Sequence, residues 1–161
     1  MAPTSATAPQ TSPAIDVFVR LVRANAAVTR QLSAELSVDH GLNINAYEAL
    51  LRLARAPESR MRRVDLAGEL LLTASGVTRL LDALERDGYV ARQLCPSDRR
   101  VTYAVLTEAG RTKMREASKS HTRQIAELLG AHYDEDELAQ LAALLDRLPG
   151  VDPEPGGCSV D

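Results

Sequence analysis

Residues 73–106 read TASGVTRLLDALERDGYVARQLCPSDRRVTYAVL, and this stretch decides the fold. Its first half predicts an amphipathic helix, because Thr73 suits the N-cap and apolar residues recur behind it at helical spacing. The apolar stripe consists of Val77, Leu80, Leu81 and Leu84. The opposite face carries Ser75, Gly76, Thr78, Arg79 and Asp82. Such a helix can pack on a core while its polar face meets a binding partner.

The second half of the stretch predicts a two-stranded hairpin with a basic tip. Asp87-Gly88 ends the helix, because glycine tolerates the left-handed conformation found after a helix C-terminus. Segments 90–94 and 101–106 are rich in β-branched and aromatic residues, as strands are. Between them, residues 95–100 form a turn that ends in paired arginines. A helix with a small polar face beside a basic hairpin is the outline of a winged helix that reads duplex DNA.

Upstream of this stretch the sequence predicts three helices and a short strand. Residues 14–38 form a long helix with an apolar face wide enough to pack against more than its own domain, and Gly41 ends it. Asn43 caps a second helix over residues 44–56. Segment 58–62 is a short strand that can pair beside the hairpin, and segment 63–71 is a brief helix. The brief helix is joined so tightly to the helix of the opening stretch that the two form a helix-turn-helix.

Downstream of the hairpin the sequence predicts two more helices. Thr107 is placed to cap a helix that runs to about Gly130. Acidic residues at positions 134–137 suit the positive N-terminal end of a last helix. That helix carries a heptad-like seam of leucines at Leu138, Leu141, Leu145 and Leu148.

Charge is segregated along the chain. The 161 residues have a net charge of −3, yet residues 52–115 hold 13 Lys+Arg against 8 Asp+Glu, a local charge of +5. A basic centre between acidic ends suits a chain whose middle faces phosphates. The chain has four tyrosines, one phenylalanine and no tryptophan, too few for the stacking platforms of a single-strand binder. Duplex DNA is therefore the expected nucleic acid.

Composition and motifs exclude several other classes of protein. No apolar run approaches the roughly 20 residues of a membrane span, and the first residues lack the charged and apolar regions of a signal peptide. Cys95 and Cys158 are too few for a secreted disulfide framework. The three histidines lack metal-site spacing, and no phosphate-binding glycine loop or nucleophile elbow is present. We therefore expect a cytoplasmic protein that is not an enzyme and uses neither a metal nor a cofactor.

Four motifs resemble the MarR family of winged-helix transcription regulators. Segment 41–50 (GLNINAYEAL) is similar to the start of that family's second helix. Segments 65–67 (DLA) and 75–85 (SGVTRLLDALE) resemble its helix-turn-helix. The family's wing signature is an Asp-x-Arg followed by Leu-Thr-x-x-Gly, and segments 98–100 (DRR) and 106–110 (LTEAG) match it.

The resemblance implies a mainly α fold with a small β-hairpin wing (α+β), a winged helix-turn-helix with N- and C-terminal dimerisation helices. It implies a homodimer that reads a pseudo-palindromic operator in duplex DNA, and a repressor released by a small aromatic or phenolic ligand. The expected segments are a disordered leader at 1–13, a dimerisation helix at 14–42, the DNA-binding domain at 43–106, further dimerisation helices at 107–148 and a flexible tail at 149–161.

The candidate DNA-contacting residues lie on the polar helix face, on the wing and just before the brief helix. Short hydroxyls reach phosphates or base edges, and an arginine can bridge N7 and O6 of guanine. One wing arginine is expected in the minor groove, while Arg60 and its neighbours meet phosphates. Asp82 would orient Arg79 or accept from a cytosine. The full set is Arg62, Arg63, Ser75, Gly76, Thr78, Arg79, Asp82, Ser97, Asp98, Arg99 and Arg100.

Regulation leaves several interpretations open. A carboxylate ligand could be held by Arg20 or Arg23, or these arginines could pair with an acidic residue of a second subunit. Residues that would lie near such a ligand are Asn25, His40 and Tyr47. Cys95 could instead be a redox switch at the wing, although a lone cysteine is reactive only with a lowered thiol pKa. A further alternative is a winged-helix module that binds proteins rather than DNA.

Overall fold

The computed structural model describes residues 12–95 and 101–149. Nine helices and strands follow one another in this part of the chain. They are α1 (Pro13–His40), α2 (Ile44–Arg55), β1 (Arg60–Arg62), α3 (Arg63–Glu69), α4 (Ala74–Arg86), β2 (Val90–Leu94), β3 (Thr102–Leu106), α5 (Glu108–Gly130) and α6 (Glu135–Leu145). The boundary between the chain's two compact units falls inside α1, between Gln31 and Leu32. Most of the leader predicted at 1–13 and most of the tail predicted at 149–161 lie outside the described residues.

Helix ends follow the predicted chemistry. Asn43, Thr73 and Thr107 each accept a hydrogen bond from the backbone N–H three residues further on, at 2.9, 3.1 and 3.0 Å. These side chains satisfy backbone donors that have no partner within the helix. Gly41 and Gly88 follow α1 and α4 with φ values of +68° and +78°, the left-handed region that glycine occupies without strain. The predicted N-caps and helix stops are confirmed.

Several predicted boundaries need correction, among them the first helix, which runs over Pro13–His40 instead of 14–38, and the second, which ends at Arg55 instead of residue 56. The helix α3 ends at Glu69 rather than at residue 71, because the chain turns there through a residue with positive φ. A 3-10 turn over Pro57–Ser59 takes up the start of the predicted strand 58–62. The strand β3 begins one residue later than predicted. The helix α6 stops at Leu145, so Leu148 lies outside it and the predicted leucine seam loses its last member.

The sheet has three antiparallel strands in the order β1-β3-β2. In its register Arg60 pairs with Val105, and Ala91 pairs with the same residue from the other side. The short first strand therefore lies beside the hairpin, as predicted. The hairpin of β2 and β3 is the wing, and residues 96–100, which the sequence predicts as its turn, lie outside the described part.

The core forms where α2, α3 and α4 meet the sheet and α5. Leu50, Leu53 and Leu66 are fully buried at its centre. The helix α5 contributes Met114 and Ala117. Each fully buried leucine contributes about 1.5–3 kcal/mol relative to an exposed one. This packing holds the helix-turn-helix and the base of the wing as one body.

Gly110 permits the close approach that joins α5 to this body. A Cβ atom at this position would lie 2.1 Å from the Tyr89 carbonyl oxygen and 2.9 Å from Cδ1 of Leu106. The Tyr89 carbonyl is held in place by the Thr107 N–H at 3.1 Å. Thr107 Oγ1 also donates to the Gly88 carbonyl at 2.7 Å. The start of α5 is thereby fastened to the chain that enters β2.

Replacing Gly110 with alanine should destabilise the protein by about 3 kcal/mol, because a backbone oxygen fixed by a hydrogen bond cannot move away from the new Cβ. Urea denaturation measures this effect. The matched control is Gly130→Ala at the other end of α5, where a Cβ meets nothing within 4 Å. Equal stability of the two variants would contradict the close approach at Gly110.

Candidate nucleic-acid interface

The helix α4 presents one buried face and one exposed face. Val77, Leu81 and Leu84 are buried in the core, and Leu80 is half-buried against it. The apolar stripe predicted from the sequence is therefore the face that anchors the helix. The opposite face is exposed to solvent, and so is the N-terminal end of α4.

Local hydrogen bonds arrange the hydroxyl groups of the exposed face. Ser75 is exposed, with its Oγ 3.2 Å from Oγ1 of Thr73. Thr78 is half-buried and donates its hydroxyl to the Ala74 carbonyl at 2.7 Å, which leaves its oxygen available only as an acceptor. Gly76 is also half-buried, and a Cβ there would lie 3.1 Å from the Thr73 cap oxygen. Gly76 thus has a structural role in the N-cap whatever its part in DNA contact.

Asp82 does not orient Arg79, which corrects one of the two roles predicted for it. Its carboxylate contacts Arg92 on β2. The Arg92 guanidinium also lies 2.8 Å from Oε2 of Glu85, so one arginine bridges two carboxylates of α4. All three side chains are partly exposed, and such pairs contribute little to stability. The triad instead joins β2 to α4 and places one cation between the carboxylates of Asp82 and Glu85.

Other contacts occupy two of the arginines predicted to meet phosphates. Arg62 forms a two-point ion pair with Asp65, with N–O distances of 2.6 and 2.9 Å, which raises the pKa of Arg62. Arg60 lies over the Tyr103 ring at 5.1 Å and pairs with Glu58. Reaching a phosphate would require either arginine to exchange an existing partner.

Arg63 and Arg79 differ from these arginines. Both are exposed, and within the described part of the chain neither has an acidic partner. Arg79 makes one weak contact, Nε to the Ser75 carbonyl at 3.4 Å. Arg63 lines a cleft of about 320 Å³ between the helix-turn-helix and the wing strands. The ion-pair pattern therefore distinguishes Arg63 and Arg79 from the paired Arg60 and Arg62. The sequence alone does not show this distinction.

The structure describes Cys95 but not the residues predicted to form the wing tip. Ser97, Asp98, Arg99 and Arg100 lie outside the described residues, so their predicted roles stay predictions. Cys95 is half-buried at the end of β2, and its backbone N–H donates to the Val101 carbonyl at 3.0 Å. It therefore sits at the base of the wing turn, where a modification would disturb the pairing of the two strands.

The helix-turn-helix, the three-stranded sheet and the outward α4 face match known proteins. The sequence model of the MarR family matches residues 40–101. The HTH-type transcriptional regulator YkoM of Bacillus subtilis is 32% identical over 112 residues, which cover 69% of this chain and 70% of YkoM. The chain belongs to the MarR family. The family resemblance found in the sequence is confirmed.

Solved structures agree with this assignment. AbsC, a MarR family transcriptional regulator from Streptomyces coelicolor, is 29% identical with a TM-score of 0.74, covering 86% of this chain and 93% of AbsC. Sco3205, a MarR family regulator of the same organism solved in complex with DNA, is 25% identical with a TM-score of 0.75, covering 88% of each chain. This MarR-family chain is thus a DNA-binding transcriptional regulator with a winged-helix fold, and its relatives are not enzymes. No helix in the described residues is long and apolar enough to cross a membrane.

Three of the predicted effector residues lie in the first unit of this regulator. Arg20, Arg23 and Asn25 are all exposed on α1. Arg20 pairs with Asp16 one turn earlier at 2.8 Å, so its acidic partner lies on its own helix in the described chain. Exposed pairs of this spacing contribute little to stability, and either arginine remains accessible to another group.

The other two predicted effector residues lie in the second unit and belong to a polar cluster. Tyr47 is only 3% exposed, and its hydroxyl lies 3.1 Å from Ser118 Oγ on α5. Its ring meets His121 edge-on, with centroids 4.8 Å apart. His40 lies with Nε2 within hydrogen-bond distance of Ser120 Oγ. The structure therefore places Tyr47 inside the core, where the sequence suggested a residue beside a ligand.

His121 is a member of this cluster that the sequence does not indicate. It is 7% exposed, and its Nδ1 has no hydrogen-bond partner within the described residues. Burial lowers the pKa of His121, while the negative charge of Glu35 acts in the opposite direction. The ring is accordingly neutral at pH 7 and packs as an aromatic group. No spacing in the sequence could have revealed it, because α2 and α5 meet only in the fold.

Replacing Asp82 with asparagine should leave Arg92 with Glu85 as its remaining carboxylate partner, so that Arg92 can move more readily to a DNA phosphate. We expect tighter binding to unrelated duplex and a salt dependence steeper by about one unit of log–log slope, because one more phosphate is contacted. Fluorescence anisotropy across a salt series measures the slope. Asp87→Asn makes the same charge change at the far end of α4, where Asp87 faces Arg86. An identical response from both variants would contradict the bridging role of Asp82.

Protonation of His121 should reduce the stability of the folded protein. Because the pKa of His121 is lower in the folded state than the ordinary 6.5, the unfolded chain binds the proton more readily. The free energy of unfolding should therefore be at its full value above pH 6.5 and should decrease as the pH drops below 6.5. His121→Phe keeps a ring against Tyr47 and should flatten this decline, measured as urea midpoints at pH 7.5 and 5.5. An unchanged decline would exclude His121 as its source, and His132→Asn on an exposed position serves as control.

Proposed function

We propose that this protein is a homodimeric repressor that binds a pseudo-palindromic operator and is released by a small aromatic or phenolic ligand. One observation carries the DNA-reading part: the helix α4 is anchored by one buried face while Ser75 and Arg79 stand exposed on the other, beside the wing. A short hydroxyl, and an arginine that has no acidic partner among the residues the structure describes, are groups that recognise base edges and phosphates. Acting on chromosomal DNA, the protein would work in the cytoplasm.

Exposed apolar side chains support the proposed dimer. In the first unit, α1 exposes Ile15, Val17, Phe18 and Val22. In the second unit, apolar side chains on and around α6 are also exposed, namely Tyr133, Leu141, Leu144 and Leu148. Helices with such wide apolar faces are usually covered by another element, and a second copy of the chain would do this. A two-fold dimer would bring two α4 helices to two half-sites, which accounts for a pseudo-palindromic operator.

The effector is assigned to the five residues that the sequence suggested. Arg20 and Arg23 supply exposed cations for a carboxylate or phenolate, with Asn25 on the same helix. His40 and Tyr47 are already hydrogen-bonded to α5. A ligand that reached Tyr47 would have to open the contact between α2 and α5, and it would thereby alter the body that carries α4. That coupling is the proposed route from ligand to DNA affinity.

Fluorescence anisotropy tests the proposed function directly. The purified protein is titrated into labelled duplex from the DNA flanking its own gene and into unrelated duplex, at near-physiological salt. We expect binding to the flanking duplex at least a thousandfold tighter than to the unrelated one. Sedimentation should give a mass twice 17.4 kDa. Equal weak binding to both duplexes, or a monomer on the DNA, would contradict the proposal.

Two arginines on α4 supply a matched pair of variants. Arg79→Ala should weaken operator binding by roughly tenfold or more, because a base or phosphate contact is lost. Arg86→Ala removes the same group from the last turn of α4, where Arg86 lies 4.0 Å from Asp87, and should leave binding nearly unchanged. Arg100→Ala at the wing should reduce the salt slope by about one unit. Equal effects of Arg79→Ala and Arg86→Ala would contradict the proposal that the exposed face of α4 contacts DNA through Arg79.

A further inference from the structure

Leu71 combines two features that an ordinary surface leucine does not show together. It lies in the turn between α3 and α4 with a φ of +52°. Its side chain is 92% exposed. A residue with a Cβ is disfavoured in the left-handed conformation, because the Cβ approaches the following carbonyl oxygen. The position thus carries a conformational cost and an exposed apolar group at once.

The turn itself explains the backbone conformation but not the leucine. The Leu72 N–H donates to the Ala67 carbonyl at 3.0 Å, and the Leu71 N–H donates to the Gly68 carbonyl at 3.2 Å. These two bonds form a Schellman motif, whose left-handed residue is most often glycine. Glycine at position 71 would make the same bonds without strain. The leucine side chain is therefore not required by the turn.

The neighbouring leucines show that the fold does not use this side chain either. Leu70 is buried in the core, and Leu72 is half-buried against it. Leu71, between them, points to solvent. Of three consecutive leucines, two stabilise the helix-turn-helix and the third is presented outward.

The position of Leu71 indicates what it meets. It precedes the N-cap Thr73 by two residues and thus lies at the N-terminal tip of α4, followed by the exposed Ser75. In helix-turn-helix proteins the N-terminal end of the recognition helix is the part that reaches base edges in the major groove. The apolar group that the major groove offers is the 5-methyl group of thymine.

We propose that Leu71 is a specificity-determining residue that packs against a thymine methyl group in each half-site of the operator. The proposal rests on the DNA-binding function proposed above and adds a base preference to it. An apolar contact to one methyl group discriminates thymine from cytosine and from uracil, while it adds no charge and no dependence on salt. The contact with DNA would then explain why a leucine, and not the less strained glycine, occupies this left-handed position.

A double exchange on protein and DNA tests the contact. The duplex is the tightest binder selected from a random pool, made either with thymine or with deoxyuridine, which lacks only the methyl group. Wild-type protein should bind the deoxyuridine duplex about fourfold more weakly for each half-site, the effect of one buried methyl group. Leu71→Ala should lose at least this factor on the thymine duplex and should no longer distinguish the two duplexes. Leu71→Met keeps an apolar side chain and should retain the preference.

Three outcomes would overturn the inference. Wild-type affinity of Leu71→Ala would show that the side chain makes no contact with DNA. An equal loss on both duplexes would place the contact on the sugar–phosphate backbone instead of the thymine methyl. Failure of the wild-type protein to distinguish the selected duplex from unrelated DNA would overturn the proposed function as well, which separates the two failures.

Stability measurements on the same variants exclude a merely structural role. Leu71→Gly should unfold at the same or a higher urea concentration than the wild type, because it relieves the backbone, and should still lose the thymine preference. Leu71→Ala keeps a Cβ in the left-handed conformation and should match the wild type in stability. A lower urea midpoint for Leu71→Gly would show that the side chain serves the fold, contrary to the inference.

Discussion

Burial of one face of α4 is the interaction on which the rest of the structure depends. Val77, Leu81 and Leu84 pack into a core that α2, α3, α5 and the sheet all share. Because a helix has fixed geometry, anchoring these residues leaves Ser75 and Arg79 on the outside. The same packing positions the base of the wing beside α4. Apolar burial thereby determines which polar groups can reach DNA.

Acidic side chains divide the arginines of the helix-turn-helix and the sheet into two groups. Arg62 is held by Asp65, and Arg92 by two carboxylates on α4. Arg63 and Arg79 have no such partner in the described residues. An arginine that is already paired must give up that contact before it can bind a phosphate. Pairing therefore limits non-specific DNA binding. The 13 basic side chains counted in residues 52–115 therefore overstate the number of cations available to DNA.

A second constraint lies where α2 meets α5. Tyr47, Ser118 and His121 bring polar atoms into a buried contact, and one of them, Nδ1 of His121, is left without a hydrogen bond in the described chain. Buried polar atoms of this kind are costly, which makes the contact easier to rearrange than an apolar one. The contact joins the long helix α5 to the body that carries α4.

Sequence alone predicts the order of the elements, the caps at Asn43, Thr73 and Thr107, the stops at Gly41 and Gly88, and the family. These features depend on near neighbours in the chain, so spacing and residue type suffice to predict them. Only the tertiary structure decided that Asp82 pairs with Arg92 instead of orienting Arg79, that Tyr47 is buried, and that Leu71 is exposed. The first two outcomes depend on residues that come together only in the fold. The third depends on a turn with a positive φ, which a leucine in the sequence does not predict. Local rules carry no information about such contacts, because the partner is chosen by packing.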